Sequence, residues 1–167
     1  MDAASVQRKS TDPLAALPQG PGSALELAQD LAALGAGGRD AAGRWMSRPA
    51  VMRRIALLLA EGVPARATRV VVAGDGAEAL GTGLSLAAGL PFAALSGDAT
   101  GLTFGEVHAG EDASLVAVHH DSLAGLRAWC DAHGLTAVHH QSVFGGSDAT
   151  GALFVVDAGG SIREGST

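Results

Sequence analysis

Tyrosine is missing from this chain, and aromatic residues of every kind make up only 4% of its 167 positions. Binding single strands by stacking successive bases takes an aromatic surface, and these residues are too few to supply one. Lysine is nearly as scarce: Lys9 stands alone beside ten arginines, and the formal net charge is −6. An acidic chain repels a phosphate backbone, so no nucleic-acid partner is expected. The one cysteine, Cys130, permits no internal disulfide and reads as a buried structural thiol inside a helix. No run approaches the roughly 18 apolar residues of a membrane span, and the N-terminal segment lacks the apolar core of a secretory signal. The expectation is a cytoplasmic protein that does not engage a membrane.

What is present is a core. Apolar residues reach 47%, and the length suits one domain. Residues 1–22, rich in Ser, Pro and Gly, read as a flexible leader, and residues 23–167 as a single domain. Ser23 is placed to cap a helix carrying Leu25, Leu27, Leu31 and Leu34. "GAGGRDAAG" reads as a loop, and Pro49 opens a second helix, "PAVMRRIALLLAEG". "RVVVA" is a β-branched run suited to a strand buried on both faces. A helix over "AEALGTGLSLAAGL", a strand "PFAAL", a Gly-rich hairpin loop "SGDATGLTFGEVHAGED" and a strand "SLVAVHH" follow. Then come a helix "SLAGLRAWCDAHG", strands "LTAVHHQSVF" and "ALFVVD", and a polar tail. The order predicts an α/β fold: a mostly parallel five-stranded sheet flanked by helices, Rossmann-like, with a flexible hairpin loop. Ligands bind such sheets at the carboxyl ends of the strands, which here means residues 74–76, 119–121 and 139–141.

"VVVAGDGAEALGTGLSLAAGLPFAAL", a loop, and then "GEVHAGEDASLVAVHHDSLAGLRAWCDAHGLTAV" resemble a type I phosphoribosyltransferase, in particular the orotate phosphoribosyltransferase branch. The resemblance spans roughly residues 48–145 and rests on the order and spacing of these segments. It implies a phosphoribosyltransferase-like fold, pairing of two subunits across the cleft, and a nucleotide-like or small anionic ligand. In that family an apolar strand is followed by two acidic residues that hold the ribose hydroxyls of phosphoribosyl pyrophosphate. A Thr-rich turn ending in Gly then cradles the 5′-phosphate beside a helix N-terminus. Here His119 and His120 stand in place of the acids, Asp121 follows them, and Leu123 and Ala124 replace the threonines, while Gly125 is kept. The hairpin loop has no Lys or Arg, and the turn after the first strand, "GDGAE", brings Asp75 and Glu78. These departures imply that ordinary transfer from phosphoribosyl pyrophosphate has been lost. A Rossmann-like or flavodoxin-like domain of other ancestry is the alternative, although "GDGAEALGTG" lacks the G-x-G-x-x-G spacing.

"AVHH" occurs at residues 117–120 and again at 137–140, ending two strands of one strand–helix–strand unit. If the copies are in register, His119 lies near His139 and His120 near His140. Each His can be half-buried and structural, can work as an acid–base or anion-holding group, or can ligate a metal. A metal site would need further ligands from Glu106, His108 or Asp121, and no metal or other cofactor is assigned from the sequence. His133 reads as a helix C-terminal cap.

Two functions compete. One is a ligand-binding, regulatory or partner subunit, a homodimer or the companion of a related chain, with ligand contacts from Asp75, Gly76, Ser122, Gly125, His139 and His140. The other is a repurposed enzyme, of a kind found in specialised metabolism, in which His119, His120 and Asp121 are the catalytic groups at the old substrate cleft. The arginines at 39, 44, 48, 53 and 54 mark a solvated helix face or a partner surface.

Overall fold

Val70, Val71 and Val72 are fully buried, as a strand covered on both faces requires. They form the middle of β1 (Arg69–Ala73) in a computed structural model that describes residues 23–38 and 41–165. The expected leader, residues 1–22, and Arg39 lie outside the described residues. Three helices precede β1: α1 (Ala24–Ala33), α2 (Ala42–Met46) and α3 (Pro49–Gly62). After it come α4 (Ala77–Ala88), β2 (Phe92–Leu95), β3 (Leu102–Phe104), β4 (Asp112–His119) and α5 (Ser122–Ala132). β5 (Thr136–Gly145), β6 (Ala152–Val156) and β7 (Ile162–Glu164) complete the described chain.

The sheet has seven strands, in the order β3-β2-β1-β4-β5-β6-β7. Its inner members, from β2 to β6, pair in parallel and are the five expected strands. The two additional strands are antiparallel edges of three residues each, too short for any periodicity to show. β3 folds back from β2 inside the segment read as a hairpin loop. β7 comes from the tail read as merely polar, where the Asp157 carboxylate accepts from the Gly159 and Ser161 amides, both at 2.9 Å, and shapes the turn. α2 lies partly in the segment read as a loop. Its five residues escape a pattern search, yet they bury Trp45 completely.

Alternation along the strands splits the core into two layers. Val70, Val72, Val116 and Val118 face Leu27, Leu31, Trp45, Ile55, Leu59, Leu80 and Leu84 from the first four helices. Val71, Ala73, Leu115 and Ala117 face Leu123, Leu126 and Cys130 of α5. Each fully buried Leu, Ile or Val contributes about 1.5–3 kcal/mol relative to exposure, so the thicker layer anchors the sheet. α3 begins with Pro49 in its first turn and buries Val51, Met52, Ile55, Ala56 and Leu59 on one stripe. α4 starts and stops at left-handed glycines, Gly76 and Gly89.

Candidate functional site

Because the inner strands are parallel, Ala73, Leu95, His119 and Gly145 end them along one rim. Gly74 lets the chain leave β1 at φ 118°, where a Cβ would sit 2.8 Å from the Cβ of Val118. The loops that follow the strand ends form two clefts.

The larger, of about 480 Å³, is lined by His119, His120, Asp121, Phe144, Ser147 and Asp148, with Gly37 and Val156 at its side. The His119 ring lies 5.7 Å from that of Phe144. The His120 amide donates to the Phe144 carbonyl at 2.8 Å and fixes the turn. The ring nitrogen Nδ1 of His120 is buried with no hydrogen-bond partner among the described residues, which is costly unless something reaches it. Asp121 is exposed and is the residue from which α5 starts, followed by Ser122.

The smaller cleft, of about 290 Å³, runs over residues 74–78 and 95–97 to Thr103 and includes Asp75 and Glu78. The sulfur of Met46, from α2, fills the space where a side chain on Gly76 would begin. Between this cleft and α5 stands the β2–β3 turn. Its Asp98 carboxylate accepts from the hydroxyls of Ser96 and Thr100, each at 2.7 Å, and from the Thr100 amide at 3.2 Å. Those hydrogen bonds hold the Asp98 carboxyl down at about 2. Ala99 of the same turn takes φ 55° and packs beside Gly125, where an added Cβ would lie 3.5 Å from its own. The first turn of α5, where the resemblance implies a phosphate cradle, is therefore bordered by a turn carrying an ionised acid. Among the described residues, neither cleft is lined by Arg or Lys.

The second "AVHH" is not on this rim. β4 and β5 pair Ser114 with His139, Leu115 with His140 and His119 with Phe144, so the two copies have slid past one another. The cause is burial. Val143 and Phe144 are 0% and 1% exposed, and placing His139 opposite His119 would push both beyond the end of β4. His139 lies near the C-terminus of α3, its Nδ1 3.2 Å from the Ser114 hydroxyl, and burial lowers its pKa, with His140 adding to the effect. Next to it, Gln141 Nε2 donates to the Leu59 carbonyl at 2.7 Å. His140 points to the opposite face, toward Leu115 and α5.

Glu106 and His108 are also separated from the rim histidines. β3 runs back from the rim, and the following loop is tied to the other end of the sheet by Glu111, whose carboxylate grips Arg69 at the start of β1. No group of three or more His, Cys, Asp or Glu placed to hold a metal occurs among the described residues. His133 is the C-cap of α5. Its Nδ1 donates to the Trp129 carbonyl at 2.7 Å, and its ring stacks on Trp129 at 3.9 Å. Cys130 is fully buried, its thiol pushed up to about 12 by desolvation, and so is structural. Arg54 ties α3 to α1 through Asp30 at 2.8 Å and Glu26 at 3.8 Å, which accounts for one member of the arginine cluster. Sequence reasoning missed Ser147 and Asp148. Their signal was a glycine-rich loop, "GGSDATG", between two strands.

No protein-family model matches the chain, and no curated protein matches it. Among solved structures it is similar to a phosphoribosyltransferase from Corynebacterium diphtheriae, at 22% identity over 78% of this chain and 85% of that one, with a TM-score of 0.59. It is similar also to the Mycobacterium tuberculosis orotate phosphoribosyltransferase in complex with 5-phospho-α-D-ribosyl 1-diphosphate, at 19% identity over 73% and 75%, with a TM-score of 0.57. With the adenine phosphoribosyltransferase from Trypanosoma brucei it shares 16% identity over 62% of its own length, at a TM-score of 0.50, and spans only 56% of that protein. The likeness is one of fold: this chain has the fold of the type I phosphoribosyltransferases.

Proposed function

We propose that this phosphoribosyltransferase-fold protein has given up transfer from phosphoribosyl pyrophosphate and binds a ligand at the rim beside His119 and His120, as a regulatory or partner subunit. The observation that carries the proposal is the sign of the rim. Asp75, Glu78, Asp98, Asp121 and Asp148 stand along it, and among the described residues no Arg or Lys lines its two clefts. Two like charges about 4 Å apart repel by about 4 kcal/mol at an effective dielectric near 20. A polyanion meeting several carboxylates is disfavoured both as ground state and at the transition state. The substitution of His119 and His120 for a carboxylate pair removes the groups that would hold the ribose.

The test is turnover. Purified protein is incubated with phosphoribosyl pyrophosphate and each common nucleobase, orotate included, and pyrophosphate release is followed. No release above the protein-free control is expected, whereas turnover on the order of 1 s⁻¹ or faster overturns the proposal.

A second reading is favoured by the buried, unpartnered Nδ1 of His120. It is a repurposed enzyme in which His119, His120 and Asp121 move protons at the old substrate cleft. Ligand binding that survives both His119→Ala and His120→Ala unchanged removes this reading.

A further inference from the structure

We infer that a second ligand site lies behind His120, on the α5 side of the sheet, and that it takes a small monocarboxylate with an apolar body. This site shares His120 and Asp121 with the rim cleft but does not need the rim to bind anything. A cavity of about 560 Å³ opens between α5 and the strands β4 and β5, within the range in which small-molecule sites fall. His120 and Asp121 line both this cavity and the rim cleft, so together they form the wall between them.

The cavity is built as ligand sites are. Its floor is apolar, from Leu115, Leu123, Ala124 and Ala128, and a few polar groups converge on it. Among the described residues, Arg127 is the one formal cation in the lining. Arg54, Arg66 and Arg69 are each committed to protein oxygens, but Arg127 has no hydrogen bond or ion pair among the described residues. Its planar fork matches a carboxylate bidentately. Asp121 and Asp131 flank it, which sets the charge the cavity tolerates: one negative charge is balanced by Arg127, and a second meets two acids.

An independent observation points to the same quarter of the molecule. The buried side-chain polar atoms without partners among the described residues are His120 Nδ1 and Ser142 Oγ. His120 is part of the cavity wall. Ser142 follows His140 by two positions on β5 and so lies on the same, α5-facing side, between Ala117 and Ala152. Orphaned polar atoms are rare in folded proteins, and the one on His120, a residue of this cavity's lining, marks a place where a ligand or its ordered water completes the hydrogen bonding.

The test uses 4-methylpentanoate and benzoate as probes, their primary amides as uncharged controls, and inorganic phosphate as the more highly charged anion. Binding to the full chain is read by ligand-observed NMR at about 10 mM, where weak complexes are populated. Both acids are expected to bind, the amides and phosphate at least about tenfold more weakly. Arg127→Gln, a change at an exposed position, is expected to weaken the acids by at least about tenfold while the thermal midpoint of the free protein is unchanged. Irradiating bound probe should also perturb the His120 imidazole signals, identified by their loss in His120→Gln. The inference is overturned if neither acid binds, if the amides or phosphate bind as well as the acids, or if Arg127→Gln leaves their affinity unchanged.

Discussion

Replacing Glu111 by Gln should cost this fold more than the loss of any other surface-accessible carboxylate among the described residues. Arg69 Nε donates to Glu111 Oε2 at 2.7 Å and Nη2 donates to Oε1 at 2.8 Å, a two-pronged pair. The Arg69 side chain is 8% exposed and that of Glu111 19%. The pair joins the first residue of β1 to the loop entering β4, and Glu111 also accepts from the His108 amide at 3.0 Å. Glutamine keeps the shape but leaves a buried guanidinium without its counter-charge. Breaking a buried pair from one side costs about 3–5 kcal/mol, and the water that reaches Glu111 argues for the lower end, about 3 kcal/mol. For a chain of this size that is a fall of roughly 6–12 °C in Tm. Urea unfolding followed by tryptophan fluorescence measures it, since Trp45 is fully buried. The hydrogen bonds from Arg69 hold the Glu111 carboxyl below the usual carboxylate range. Its contribution is therefore complete above the unfolded value of about 4.3 and is lost as pH falls through the lower folded value. The variant should lack that part of the acid limb of the stability curve. Replacing both partners with apolar residues, Arg69→Met with Glu111→Leu, should recover much of the loss. A Glu111→Gln protein within about 0.5 kcal/mol of the parent would refute the reasoning, because the pair would then be behaving as an exposed one.

Other positions make equally direct claims. Gly74→Ala forces an L side chain to φ 118° and puts its Cβ 2.8 Å from that of Val118, so a loss of about 3 kcal/mol in urea unfolding is expected and one below about 1 kcal/mol contradicts the close approach. Cys130, fully buried with its thiol at about 12, should react with a disulfide reagent only as fast as the protein opens, and rapid labelling of native protein shows that α5 is not packed as described.

Much of this architecture could be read from local pattern. "RVVVA" declares a strand buried on both faces, and Pro49 and Gly62 bracket α3 where Pro and Gly punctuate helices. The rule that ligands bind at strand carboxyl ends puts Asp75, Gly76, His119, His120 and Asp121 on the rim from the order of the elements alone. The register of β4 against β5 was not legible, because it is decided by a competition between distant segments. The burial of Val143 and Phe144 outweighs the apparent symmetry of the two "AVHH" copies. That outcome moves His139 and His140 to the opposite half of the sheet. Short elements were missed for a different reason: α2, β3 and β7 are too brief to complete a period, and tertiary contacts alone define them. Ser147 and Asp148 belong to a loop with no period at all, so their place in the cleft emerges only when β5 and β6 are laid side by side.

The arrangement of the inner strands also dictates an order of assembly. β1 lies between β2 and β4, and both pairings are parallel. Neither can close as a hairpin, so each waits for an intervening stretch of chain. β2 becomes available after α4, while β4 requires the whole β2–β3 excursion as well. The segment from β4 through α5 to β5 is by contrast a self-contained crossover with extensive pairing of its own. The least local of the strand pairings is thus the docking of Val70, Val71 and Val72 onto Ser114, Leu115 and Val116, and pairings so distant in sequence form slowly. Until that seam forms, the most apolar strand of the protein has only one neighbour, and it is the segment most exposed to pairing with another chain.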